Sequence, residues 1–185
     1  MARTPSLMVA LGTPAPNFSL TDVVSAREVR LAQPCAFNAV VIMFICNHCP
    51  FVKHISKELT KLANDYMGKN IQFIAINSND IDNHPDDSPE NMRILAKQEQ
   101  YPFPYLFDET QEVAAAYNAV CTPDFFVYGA SLSLVYRGQL DDSRPGNQIP
   151  VTGHSLRNAL DCILSNQPID EKQVPSLGCN IKWKI

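Results

Sequence analysis

The sequence predicts an α/β fold in which helices cover a central sheet that is parallel or mixed at its middle, and three observations predict it. Residues 39–45, AVVIMFI, and residues 71–76, IQFIAI, are short apolar runs of the kind buried on both faces of such a sheet. Between them Val52, Ile55, Leu59, Leu62, Ala63 and Tyr66 recur at steps of three and four, while Lys53, Lys57, Glu58, Lys61 and Asp65 take the opposite side. That is an amphipathic helix, and strand, helix and strand make one βαβ unit with a right-handed crossover. The third observation is a hairpin later in the chain, where Phe125–Tyr128 and Leu132–Gln139 flank Gly129-Ala130-Ser131.

The elements follow in order. The strand over 39–45 leads into a helix whose first turn carries Pro50, where a missing N–H costs nothing, and whose end is marked by Gly68 with a left-handed stop expected there. In this reading Cys46 caps the first turn and Cys49 lies inside it. The strand over 71–76 comes next. Ser88-Pro89-Glu90 opens another helix through a capping serine and a first-turn proline, running to about Gln100 by way of Met92, Leu95 and Ala96. Phe103–Phe107 reads as a short strand, Glu109–Asn118 as a short helix with Val113, Ala114 and Tyr117 inward, and Ser155–Leu164 as the closing helix after the hairpin.

Composition bounds the partners. With 185 residues, 45% of them hydrophobic and 18% charged, the chain can bury one full core, so residues 1–185 are expected to form a single domain. A net charge of −4 and the lack of a basic run or stacking stripe argue against nucleic acid. The opening MARTPSLMVALGTPAPNF is broken by Pro5 and Ser6, too weak for a secretory signal and too short to span a bilayer. The expected compartment is the cytoplasm, without membrane attachment. Six cysteines are there expected as thiols or catalytic groups rather than staples.

Cys46-Asn47-His48-Cys49 stands where the first strand gives way to the long helix. A helix N-terminus carries partial positive charge and unpaired N–H groups, which favour a thiolate over the thiol, whose ordinary pKa is about 8.5. The spacing allows a disulfide between the two sulfurs, with only the earlier one expected to face solvent. Cys46 is therefore the expected nucleophile and Cys49 the resolving thiol. Asn47 and Pro50 frame the motif, and His48 is expected to favour the reduced thiolate, making the disulfide a stronger oxidant. A structural or zinc-binding pair is the competing use, but no second pair of ligands stands elsewhere, so no metal is expected. Haem attachment needs His directly after the second cysteine, where Pro50 stands.

Five segments carry a resemblance over nearly the whole chain: Gly12-x-x-Ala15-Pro16-x-Phe18-x-Leu20-x-Asp22, Cys46 to Cys49, Cys121-Thr122-Pro123-Asp124-Phe125-Phe126, Arg137-Gly138-Gln139-Leu140-Asp141-Asp142, and Gly178-Cys179-Asn180-Ile181-Lys182-Trp183. In this ordered set the chain resembles the thioredoxin-fold superfamily, and within it the peroxiredoxin-like or redoxin (AhpC/TSA-like) branch. The resemblance implies a thioredoxin-like three-layer sandwich with an N-terminal redoxin-type extension. It also implies that Thr122-Pro123 is a cis-proline loop that packs on the Cys46/Cys49 pair and offers main-chain groups to a thiol substrate. Two departures matter. Aligning the peroxidase motif P-x-x-x-T-x-x-C on Cys49 puts Ile42 and Cys46 at its proline and threonine positions. Ile45 stands where thioredoxins have Trp, and the preceding strand lacks their buried acid.

These readings converge on thiol-disulfide exchange by Cys46 and Cys49, with a protein or small-molecule disulfide as substrate, a recycling thiol reductant as partner and no bound cofactor. A hydroperoxide-reducing peroxidase and a non-enzymatic redox sensor or partner-binding protein are the alternatives. Cys121 is a candidate third thiol or a small buried hydrophobe. Cys179 is a second resolver or part of a tail packed for stability, and Cys35 and Cys162 are structural. The stretch 77–90, NSNDIDNHPDDSPE, reads as a solvated loop with helix-capping acids near the active face; Pro85 and Asn91 spoil a calcium loop. Arg144-Pro145-Gly146-Asn147 reads as a surface turn and His54 as solvent-exposed.

Overall fold

The computed structural model describes residues 3–184. In chain order the elements are β1 (Arg3–Pro5), β2 (Phe18–Asp22), β3 (Glu28–Leu31), β4 (Ala39–Phe44), α1 (Pro50–Met67), β5 (Ile71–Asn77), a 3-10 turn at Pro85–Asp87, α2 (Pro89–Gln98), β6 (Tyr105–Phe107), α3 (Glu112–Ala116), β7 (Cys121–Thr122), β8 (Asp124–Gly129), β9 (Leu134–Gly138), α4 (His154–Leu164) and β10 (Leu177–Asn180).

Seven strands form the central sheet in the order β3-β2-β6-β5-β4-β8-β9. It is mixed: β4, β5 and β6 run parallel to one another, while β8 lies antiparallel to β4 and the β2–β3 hairpin closes the far edge. Every residue of β4 is buried, and its side chains alternate between two cores. Ala39, Val41 and Met43 join the core under α1 and α4, which also holds Met92 and Ala96 of α2. Val40, Ile42 and Phe44 join the core under α3, with Tyr117 and Phe126. Three layers result, with the site at the C-terminal ends of the parallel strands, where α/β sheets place their ligands.

The structure moves some boundaries. Cys49 is the N-cap of α1 and Pro50 its first residue, so the helix starts later than the sequence reading has it and Cys46 lies in the loop ahead of it. Gly68 is right-handed at φ −67°, and the left-handed turn falls two residues on, at Asn70 (φ 60°). The helix expected over 109–118 shortens to α3 because Asp108 caps it from inside, accepting the Val113 and Ala114 N–H groups at 3.3 and 2.9 Å. Strands β1, β2, β3, β7 and β10 escape the pattern reading, each being only two to five residues long. The last of them pairs with β1 on one side and β7 on the other in a separate three-stranded sheet.

Candidate active site

Four segments meet at Cys46 and Cys49: the loop after β4, the start of α1, the β7–β8 junction and strand β10. Between β7 and β8 the Thr122–Pro123 peptide is cis. Thr122 is buried and touches both sulfurs, its hydroxyl 3.2 Å from Cys46 Sγ and its carbonyl oxygen 3.1 Å from Cys49 Sγ. Both cysteines are buried, with 1% of Cys46 and none of Cys49 exposed, against the expectation that the earlier sulfur faces solvent. Pro50 is exposed at the first helical position. No disulfide is closed among the described residues.

The two thiols share their protons unequally. A hydrogen bond from Cys46 lowers the Cys49 pKa to about 5; burial opposes this, and hydrogen bonding from Cys179 together with the Val52 and Cys179 N–H groups supports it. Cys46 is raised by the same bond to Cys49, by burial and by the charge of Asp87, against the Thr122 hydroxyl. The Thr122 carbonyl favours a protonated Cys49, because it can only accept, whereas the Cys179 sulfur can either donate or accept. The pKa direction is downward for Cys49, from its donors, and upward for Cys46, from its bond to Cys49, burial and Asp87. Electrostatics thus put the thiolate on the sulfur expected to resolve, while Cys46 lines a cavity of about 60 Å³ with Asn47, Val52, Lys53, Ser56 and Tyr101. The hydroxyls of Ser56 and Tyr101 are buried there beside each other, and among the described residues neither meets a further hydrogen-bond partner.

Sequence reasoning missed Asp87. It lies in the stretch taken for a solvated loop, yet Asn77, Ser78, Asn79, Asp80 and Asp87 are all buried, the last completely. Its Oδ1 accepts the Asn47 N–H at 2.7 Å; its Oδ2 meets His48 Nδ1 at 2.5 Å and the Asn79 amide at 2.8 Å. Burial pushes the carboxyl up, but these bonds and the His48 charge bring it below the ordinary range. His48 is raised in turn, chiefly by its bond to Asp87, and its ring stacks on His84 at 5.3 Å. Asn47 is fixed further by Asp86 O (2.8 Å) and the Tyr105 hydroxyl (3.1 Å). Forty residues separate Asp87 from Asn47, so no local spacing announces the contact. Ligand atoms of Cys46, His48 and Asp87 lie within 4.8 Å of one another, a set that suits a metal only if Asp87 gives up these bonds.

The third sulfur in contact is Cys179, not Cys121. Cys121 Sγ turns to Pro123 O at 3.7 Å, and burial keeps its pKa far above the ordinary value. Cys179 Sγ stands 2.9 Å from Cys49 Sγ, its pKa pushed up to about 12 by burial and by Cys49. Behind the cis-proline, Asp124 and Arg137 form an ion pair at 3.1 Å with both side chains fully buried. Arg137 also stacks on Phe126 at 4.3 Å. Burial, with Arg137 opposing, sets the Asp124 pKa at about 7. Arg144 turns inward to the carbonyls of Asp141 and Ser143, consistent with a turn, and His54 is half-buried against the Ser143 hydroxyl at 2.7 Å.

The sequence profile of the AhpC/TSA family matches residues 11–137. No curated protein matches the chain. Among solved structures, an uncharacterized conserved protein from Geobacillus kaustophilus is 60% identical with a TM-score of 0.97, over 100% of this chain and 97% of that one. A hypothetical protein from Sinorhizobium meliloti 1021 is 46% identical with a TM-score of 0.95, over 98% of each chain. A thiol:disulfide interchange protein of the thioredoxin family from Chlorobium tepidum TLS is 18% identical with a TM-score of 0.64, over 85% of this chain and 99% of that one. At that distance the likeness shows the thioredoxin-like fold.

Proposed function

The chain belongs to the AhpC/TSA family, and from that premise we propose that it is a thiol-disulfide oxidoreductase working through a Cys46/Cys49 couple beside the Thr122–Pro123 loop. The observation that carries the reading is the convergence of both sulfurs on Thr122, with Cys46 opening on the cavity. Cys46 gives its proton to the Cys49 thiolate as it attacks one sulfur of a disulfide R–S–S–R′, and R′–S⁻ leaves. Cys49 then loses that proton to the departing thiolate and attacks Cys46 Sγ, releasing R–S⁻. The substrate gains two electrons and the protein keeps the Cys46–Cys49 disulfide. Asp87 holds the loop through the Asn47 main-chain N–H and the His48 ring during the exchange. A thiol reductant resets the pair, and the compartment that suits such a cycle is the cytoplasm.

The test equilibrates the protein across glutathione buffers, alkylates the remaining thiols and counts labels by intact mass. Wild type loses two labels together, a bond between Cys46 and Cys49 appears inside the tryptic peptide 31–53, and Cys49→Ser loses none. The midpoint separates a reductant near about −270 mV from an oxidant near about −120 mV. A wild type that keeps every label refutes the reading.

The cavity favours a second reading. Its buried Ser56 and Tyr101 hydroxyls beside Cys46 suit a small polar oxidant such as a hydroperoxide. Cys46 would take one oxygen as a sulfenic acid, releasing the alcohol or water, and Cys49 would close the disulfide with loss of water. Thiol-dependent consumption of hydrogen peroxide, lost in Cys46→Ser, separates this from disulfide exchange alone.

A further inference from the structure

Strand β10 is built to hold a sulfur against Cys49. Its Cys179 pairs with Thr122 of β7 on one side and Arg3 of β1 on the other, so the tail is the middle strand of its sheet. Beyond the strand, Ile181 N–H donates to Val120 O at 2.9 Å, Lys182 N–H to Asn79 Oδ1 at 2.8 Å, and the Gln111 amide to Lys182 O at 2.8 Å. The close approach depends on Gly178. A Cβ there would stand 2.0 Å from the Thr122 carbonyl oxygen and 2.5 Å from its carbon, both main-chain atoms. The result is a Cys49–Cys179 Sγ separation of 2.9 Å, about 0.9 Å from the bonded distance of about 2.05 Å. Cys46 and Cys179 thus both reach Cys49, and only Cys46 lines the cavity.

We propose that Cys179 is a third redox thiol, which takes Cys49 from the Cys46–Cys49 disulfide to form a Cys49–Cys179 disulfide and returns Cys46 to the thiol. This rests on the Cys46/Cys49 couple proposed above. The exchange is an isomerisation: the Cys179 thiol gives up its proton, its sulfur bonds to Cys49 Sγ, the Cys46–Cys49 bond breaks, and Cys46 leaves with the electron pair and takes up the proton. No outside oxidant or reductant is consumed. The step is reversible, so the Cys49–Cys179 form stores the two oxidising equivalents of the disulfide behind the β10 ladder while Cys46 again faces the cavity as a thiol. The main-chain edge of Thr122 is taken by β10, so a substrate reaches the site from the Cys46 cavity rather than by pairing as a strand on that edge.

The experiment uses Cys46→Ser, Cys179→Ser, Cys179→Ala and wild type in the same glutathione buffers, with tryptic mapping of linked peptides and a circular dichroism melt to confirm that each is folded. A Cys49–Cys179 bond joins peptide 31–53 to peptide 173–182, whereas Cys46–Cys49 stays within the first. The expected result is that Cys46→Ser loses two labels and yields the joined peptides. Folded Cys179→Ser or Cys179→Ala closes only Cys46–Cys49, and wild type shows both linkages. If the Cys179 variants close Cys46–Cys49 but Cys46→Ser never joins the two peptides, the relay alone is overturned. If the folded Cys179 variants close no bond, the couple fails and the relay with it.

Discussion

Gly178→Ala tests whether the sulfur cluster depends on β10 lying hard against Thr122. The added methyl would meet Thr122 O at 2.0 Å and Thr122 C at 2.5 Å, distances no real Cβ tolerates, and neither atom is the free end of a side chain. Overpacking costs about 1–3 kcal/mol. Because the obstruction is main chain on both sides, the upper end applies. For a chain of this size one kcal/mol moves Tm by about 2–4 °C, so a fall of roughly 6–12 °C is expected in a calorimetric melt under reducing conditions. Gly68→Ala is the control, since nothing lies within 4 Å of its added Cβ and φ is −67°. It should hold or raise stability, by about 0.4–1 kcal/mol. A Gly178→Ala protein that melts with wild type would refute the claim that this glycine sets the approach of β10. The same variant should close Cys49–Cys179 less readily than wild type.

Thiolate absorbance near 240 nm should titrate with a midpoint of about 5 in the reduced protein, vanish with Cys49→Ser and move upward with Cys179→Ala; a midpoint near the ordinary thiol value would sink the Cys49 assignment. The raised His48 pKa adds stability that is complete below its ordinary value of about 6.5 and is lost as pH rises through the folded value; the lowered Asp87 pKa adds stability that is lost as pH falls through its own. Asp87→Asn should therefore flatten the wild-type decline in Tm between pH 6 and pH 9, and melts at the two pH values check it. Arg137→Met strands a fully buried Asp124 and should cost about 3–5 kcal/mol at pH 8 by urea unfolding. The loss should be smaller at pH 5, where Asp124, with its pKa of about 7, takes up a proton.

Much of the frame is legible in the sequence because burial writes it in runs and periods. The apolar stretch at 39–45 becomes β4 to within a residue, and the three-and-four spacing from Val52 becomes α1, which ends before Gly68 as read but is capped three residues later, at Cys49. The capping Ser88 behaves as its type demands, accepting the Asn91 N–H. What escapes is what depends on distant partners. Nothing within NSNDIDNHPDDSPE distinguishes the buried Asp87 from its exposed neighbour Asp86, because its partners Asn47 and His48 belong to another loop. In Leu177–Asn180, four residues including a glycine carry no strand period, and only the ladder to β1 and β7 defines them. Cys121 and Cys179 look alike as lone cysteines; the strand register decides which one meets Cys49.

The β1-β10-β7 ladder also has a mechanical meaning. Arg3 is paired with Cys179 and Cys179 with Thr122, so strands close to both ends of the chain are clamped together one residue from the cis-proline. Tension passed along β1 or β10 would load that ladder, and a covalent bond at Cys179 would rivet it to the start of α1. The fold is then tightened or slackened by the same chemistry that its sulfurs carry out, and pulling the oxidised and reduced chains in a force spectrometer would read redox state as a difference in rupture force.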